Sequence, residues 1–179
     1  MPPTPSHRRA FSLMELVIAV LIMGILAAVA APRFTGSLCE LRAEAAAKRI
    51  AADLNYARRM AMTTESRQRV HFYTNNVTDP NDQVYELMDQ LHLDHSDQAY
   101  VVDLGQSAYP ARITSVAFTN SNGFTAPRRM QFDIFGVPAA GQPPGDPLAP
   151  LVSGQVVVTL GTAQRTVVVN AVTGEASIQ

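Results

Sequence analysis

Hydrophobic and polar positions follow three patterns along this chain. From Phe11 to Ala31 the sequence reads FSLMELVIAVLIMGILAAVAA, apolar on every helical face, with Glu15 as its one ionisable side chain. As a helix that run measures about 31 Å, close to the roughly 30 Å hydrocarbon core of a bilayer. From Phe34 onward the apolar residues thin to a three-four spacing: Phe34, Leu38, Leu41, Ala45, Ala47, Ile50, Leu54, Ala57 and Ala61. This spacing predicts that the helix continues as an amphipathic one over residues 32–64. Arg42, Glu44, Lys48, Arg49, Asp53, Arg58 and Arg59 fall mainly on its wet side. Pro32 lacks an N–H and crowds the carbonyl of Ala28, and Gly36 loosens the same stretch, so a kink is expected there.

Beyond Thr63 the period changes to two. RVHFYT (69–74), QVYELM (83–88), AYVVDL (99–104), ITSVAFT (113–119) and RMQFDIF (129–135) read as short strands. In the last of these, Met130, Phe132 and Ile134 share one face. QVVVTL (155–160) and RTVVVN (165–170) flank a turn at 161–164, a hairpin pattern, and EASI (175–178) offers a final strand. GVPAAGQPPGDPLAP (136–150) is rich in proline and glycine and reads as a loop. The apolar stripe of the helix needs a surface to bury it, and a sheet over residues 65–179 supplies one. The expected fold class is α+β: a long N-terminal helix packed on a C-terminal antiparallel β domain.

Composition changes this picture little. The formal charge is −1, with no basic excess that points to nucleic acid. The single cysteine, Cys39, excludes an internal disulfide and reads as a small packing residue on the helix. The segment DQLHLDHSDQ (89–98) gathers Asp89, His92, Asp94, His95 and Asp97. His92 and His95 would share a face on a helix but not in an extended chain, and no second cluster completes a metal site. The segment reads as a solvated surface loop. DPND (79–82) lacks the spacing of a calcium loop. Neither a Gly-x-Ser-x-Gly elbow nor a phosphate-binding Gly-Lys-Ser/Thr loop occurs. No catalytic residue, metal ligand or cofactor is therefore expected.

The apolar run admits several readings on its own. Arg8 and Arg9 precede it and only Arg33 follows, which places the N-terminus inside by the positive-inside rule. A secretory signal would have a shorter apolar core and a cleavage site after it, where Pro32 sits badly. A plain signal anchor fits the length but leaves Glu15 unexplained. An unpaired carboxylate inside a membrane helix is costly and marks a function by default.

The order of features is more specific. Basic residues, the small Ala10, then Phe11, Ser-Leu-Met, Glu15 and an apolar run resemble the N-terminal signal of type IV pilins and type II secretion pseudopilins. The resemblance implies cleavage by a prepilin peptidase between Ala10 and Phe11, with Ala10 standing where the family usually has glycine. It implies a leader over residues 1–10, N-methylation of Phe11 and a transmembrane helix over 11–31. It also implies that Glu15 pairs with the new N-terminal amine of a neighbouring subunit, which would fix axial register. Two plainer roles for Glu15 stay open: reaching water among the headgroups, or pairing with its own amine four residues back.

Further along, AADLNYARRMAMTTESRQRVHFY (51–73), MQFDIFGVP (130–138) and the C-terminal strands resemble the GspH/FimT type of minor pseudopilin or pilin. The resemblance implies a non-enzymatic structural subunit of a type II secretion pseudopilus or type IV pilus. Its place would be the bacterial inner membrane, with the N-terminus cytoplasmic and the β domain periplasmic or external. Its partners would be the peptidase and other pilin-like subunits.

Two alternatives stand beside this one. A DNA-uptake minor pilin would draw on Arg67, Arg69, Arg112, Arg128, Arg129 and Arg165. However, loss of Arg8 and Arg9 with the leader moves the formal charge from −1 to −3. Glu175 also stands in the C-terminal segment where a base would help, so DNA is not an expected partner. A membrane-anchored enzyme or metal-binding module is the other alternative.

Overall fold

The computed structural model describes residues 12–73, 83–91, 98–106, 110–123, 125–126, 128–141 and 148–179. Two compact units make up the chain, 1–37 and 38–179. One helix, α1 (Leu13–Thr64), contributes to both and is continuous through Pro32 and Gly36.

In the second unit, strand alternation builds the sheet. Along β1 (Gln68–Phe72), Gln68, Val70 and Phe72 are buried while Arg69 is exposed and His71 half-buried. β2 (Val84–Leu91) pairs antiparallel with β1, and β3 (Ala99–Asp103) with β2. On the other side of β1 lies β6 (Arg129–Phe132), which in turn pairs with β7 (Pro138–Ala140). The long β8 (Ala149–Leu160) joins this part to β9 (Ala163–Val169) and β10 (Ala176–Ile178). β4 (Arg112–Asn120) also pairs with β8, and carries the short β5 (Thr125–Ala126). Every pairing among the described residues is antiparallel.

The helix and sheet share one core. Ala46, Ala47, Ile50, Leu54, Ala57 and Ala61 of α1 are buried with Val70, Phe72, Tyr85, Leu87, Phe118, Phe132 and Val156. The helix contributes mostly alanine, which lets its backbone lie close to the sheet. Phe72 bridges strands, its ring centroid 5.6 Å from Tyr85 and 5.8 Å from Phe118. An N-terminal helix packed on an antiparallel sheet is thus the architecture of this unit.

Several local expectations are corrected. Leu38 and Leu41 are exposed, and the buried face starts at Ala43 instead. Asp53, which the helical spacing puts on the wet side, is buried. The strand at 129–135 stops at Phe132, and Ile134 is 42% exposed. There Asp133 turns the chain by accepting hydrogen bonds from Phe135 N and Val137 N. The stretch 136–150 is not loop throughout: it contains β7 and the start of β8. Asp89 lies on β2 and not in a loop.

One turn is fixed by close approach. Gly174 has φ +72°, and a Cβ built on it would stand 2.3 Å from the carbonyl oxygen of Gly136. Gly174→Ala therefore adds a backbone clash to the ordinary cost of a left-handed residue. Denaturant unfolding should show a loss of about 2–4 kcal/mol. Gly123→Ala is the control: its φ is +77° but nothing lies within 4 Å. It should lose only about 1 kcal/mol.

Candidate functional site

The first unit carries the signal residues. α1 begins at Leu13, and Leu16 N donates to Ser12 O at 3.2 Å as the first turn closes. Glu15 lies in that turn. Every described side chain from Ser12 to Ala28 is exposed, including Leu13, Leu16, Val17, Leu21, Ile22 and Ile25. A helix that is apolar all round is built for burial against something else. Glu15 is the exception on this surface, and among the described residues it has no cation beside it.

Ala10 and Phe11 lie outside the described residues, as do the side chains of Pro32 and Arg33. Among the described residues no helix is long and apolar enough to cross a membrane.

The second unit holds a polar site that the sequence reading missed. Asp53 Oδ2 accepts from Arg49 Nε at 2.9 Å and from the Tyr85 hydroxyl at 2.6 Å. Its Oδ1 accepts from the Tyr100 hydroxyl at 3.1 Å, and Arg49 Nη2 donates to that same hydroxyl at 2.8 Å. The cluster ties α1 to β2 and β3. Burial, then the Asp53 charge, pushes both tyrosine hydroxyls above their usual pKa, so they remain donors. Burial works against the Arg49 charge, but Asp53 overrides it and the pKa rises. A signal was present: Asp53 sits at helical spacing from Ile50 and Ala57 on the buried face, with Arg49 four residues back.

Asn55 makes a second tie. Its amide nitrogen donates to Ala176 O at 2.9 Å and its oxygen accepts from Ala176 N at 3.0 Å. The side chain thereby stands in for a strand beside β10 and blunts that edge.

The outer face of the sheet at β1 and β6 carries two of the candidate DNA-contacting cations, Arg69 and Arg129. Arg69 and Asp89 form a bidentate ion pair, with Asp89 also accepting from Arg69 N. His71 rests 4.3 Å, centroid to centroid, from Tyr73, whose hydroxyl donates to Glu86 at 2.6 Å. Burial and then the Arg129 charge lower the His71 pKa, so this ring is neutral at pH 7. A shallow cavity of about 60 Å³ lies here, lined by Arg69, Met88, Arg129, Gln131 and Leu148 among others. Of the 89–98 segment, His92, Asp94, His95 and Asp97 lie outside the described residues, as does 79–82.

Comparison with known proteins addresses the first unit. Residues 5–31 match the family model for a prokaryotic N-terminal methylation motif. The match places Ala10, Phe11 and Glu15 within one recognised signal and supports a type IV pilin-like protein. The motif suggests a pilin-like structural protein of the prepilin-processed kind. No curated protein and no solved structure matches the chain.

Proposed function

We propose that this protein is a minor pseudopilin or pilin of the GspH/FimT type. It is a structural subunit of a type II secretion pseudopilus or a type IV pilus. Prepilin peptidase removes residues 1–10 on the cytoplasmic side, and the new N-terminus at Phe11 is methylated. Residues 11–31 hold the subunit in the bacterial inner membrane as a single pass, with the β domain outside. On assembly this apolar stem packs among the stems of other pilin-like subunits, with slack at Pro32 and Gly36 to fit them together. Glu15 of one subunit meets the Phe11 amine of the next.

One observation carries the reading: a methylation motif whose helix is apolar and exposed all round, save for one carboxylate in its first turn. A free amine and a carboxylate in low dielectric attract strongly, and only at one axial offset. The DNA-uptake alternative gains no support from the sheet face. Asp89 neutralises Arg69 and Glu86 stands beside His71, while Arg128 and Arg129 also face that ring, so cations and carboxylates are mixed on this face.

The test is the intact mass and N-terminal sequence of the chain isolated from membranes. The expected product starts at N-methylated Phe11. A product starting at Met1, or near Pro32, would overturn the processing step.

A further inference from the structure

The two ends of the sheet are finished differently. At β10 the Asn55 side chain bonds both backbone groups of Ala176 and covers the edge. At the other end stands β3, whose hydrogen bonds to β2 come from alternate residues. Leu104 N donates to Gln83 O at 2.8 Å. In an antiparallel ladder bonded pairs alternate with non-bonded ones, so Val102 with Tyr85 and Tyr100 with Leu87 are bonded pairs too. Val101 and Asp103, opposite Glu86 and Val84, hold the non-bonded positions. The far side of β2 agrees: Tyr73 N donates to Val84 O at 2.9 Å, so Val84 and Glu86 turn their backbone groups to β1. The N–H and C=O groups of Val101 and Asp103 therefore point away from β2, and among the described residues no strand meets them.

None of the usual devices blunts this edge. Ala99–Asp103 reads AYVVD, with no lysine and no proline. The register shift against β2 falls between Leu87 and Leu91, so the ladder from Leu87 to Val84 is regular. The strand is also firmly held. The Tyr100 hydroxyl is tied to Asp53 and Arg49, and its ring centroid lies 6.2 Å from that of Tyr56. Val102 packs partly buried against the core, while Val101 on the outer face is 45% exposed. A fixed strand with free backbone groups binds without first paying to become ordered.

Charge narrows the partner. Asp103 is the one ionisable carboxylate of β3, and its Oδ1 accepts from Gly105 N at 2.8 Å. No cation pairs with it among the described residues. A second copy of β3 would bring another acid and no cation to the pairing, so the edge suits a foreign strand better than its own.

We infer that the outer edge of β3 takes an extended segment of a different protein as an added strand. The segment's main chain exchanges hydrogen bonds with Val101 and Asp103. Its apolar side chains lie on the face of Tyr100 and Val102, and a lysine or arginine on the outer face stands beside Asp103. The inference needs the β domain alone and stands apart from the processing of the stem.

The test uses the full chain in detergent micelles and a capped hexapeptide, Thr-Val-Lys-Val-Thr-Val, with amide hydrogen exchange read residue by residue. Saturating peptide should slow exchange at Val101 and Asp103 at least tenfold and leave Val102, already bonded to β2, unchanged. Replacing the peptide's lysine by glutamate should weaken binding about threefold. Asp103→Asn keeps the turn acceptor and removes the charge, so it should erase that difference. Val101→Pro removes an N–H that β2 does not use; it should unfold near the wild-type temperature and lose the protection at Asp103. Val102→Pro breaks the bond to Tyr85 and should unfold well below it.

No protection by the peptide overturns the inference. Equal protection by the same peptide N-methylated at alternate residues does so as well, since that peptide keeps the side chains and cannot complete the ladder. Equal unfolding of the two proline variants overturns the assignment of the free edge. Protection that appears without peptide and grows with protein concentration means β3 pairing with β3, which overturns the foreign strand.

Discussion

Glu15→Gln is expected to leave the chain folded, membrane-bound and cut before Phe11, yet to abolish its incorporation into filaments. The substitution keeps the shape and removes only the charge. If Glu15 serves to reach water at the inner interface, glutamine serves nearly as well and incorporation persists. If Glu15 pairs with its own amine, the loss changes the stability of one helix end by about 0.3–1 kcal/mol and little else. Only a pair between subunits makes the charge necessary for stacking. Unlike charges in a low-dielectric stem would fix one register among many that apolar packing alone leaves similar in energy. The measurement is the amount of subunit in sheared filaments relative to membranes, with the N-terminus sequenced in both. Loss of at least tenfold from filaments, with Phe11 as the start in membranes, is the expected result. Wild-type levels in the filaments would remove the register role.

What the sequence disclosed, and what it hid, follows from how far each signal reaches. Val70 and Phe72 alternate with Arg69 and His71, so the inward face of β1 was legible in six residues. The hairpin between β8 and β9 was legible for the same reason: apolar runs on both sides of Gly161. The helix was legible in its period but not in its end. Leu38 and Leu41 satisfy the three-four spacing, yet they are exposed, while small Ala43 and Ala46 are buried. Hydrophobicity names the residues that prefer burial; only the partner surface decides where burial begins. Ile134 failed for a different reason. Alternation extends the strand through it, but the Asp133 carboxylate captures two backbone N–H groups and turns the chain first. The β7 strand was hidden inside a run of Pro, Ala and Gly, because its pairing comes from β6 and β8 and not from its own side chains. Glu15 stood out because a lone carboxylate breaks an apolar run. Asp53 did not, because acids are common on helices and its partners Tyr85 and Tyr100 lie more than thirty residues away.

That hidden cluster leads to a large expected effect on stability. Asp53→Ala removes the acceptor shared by Arg49, Tyr85 and Tyr100 at once. Tyr85 is almost fully buried, so its hydroxyl would lose its partner without gaining water. Arg49 behaves differently: its side chain is 53% exposed and can turn to solvent, which limits the penalty on the charge. The cost therefore falls below that of breaking a fully buried ion pair. About 2–3 kcal/mol is expected, or roughly 5–10 °C in Tm for a chain of this size. Asp53→Asn keeps an oxygen acceptor for one hydroxyl and loses the charge, so it should fall between Ala and wild type. Tyr85→Phe removes one donor and leaves Asp53 its bonds to Arg49 and Tyr100, and should cost about 1 kcal/mol. The decisive comparison is the double variant Asp53→Ala with Tyr85→Phe. If the lost acceptor is what destabilises, removing the stranded hydroxyl should recover part of the Asp53→Ala loss, a coupling that additive losses would exclude.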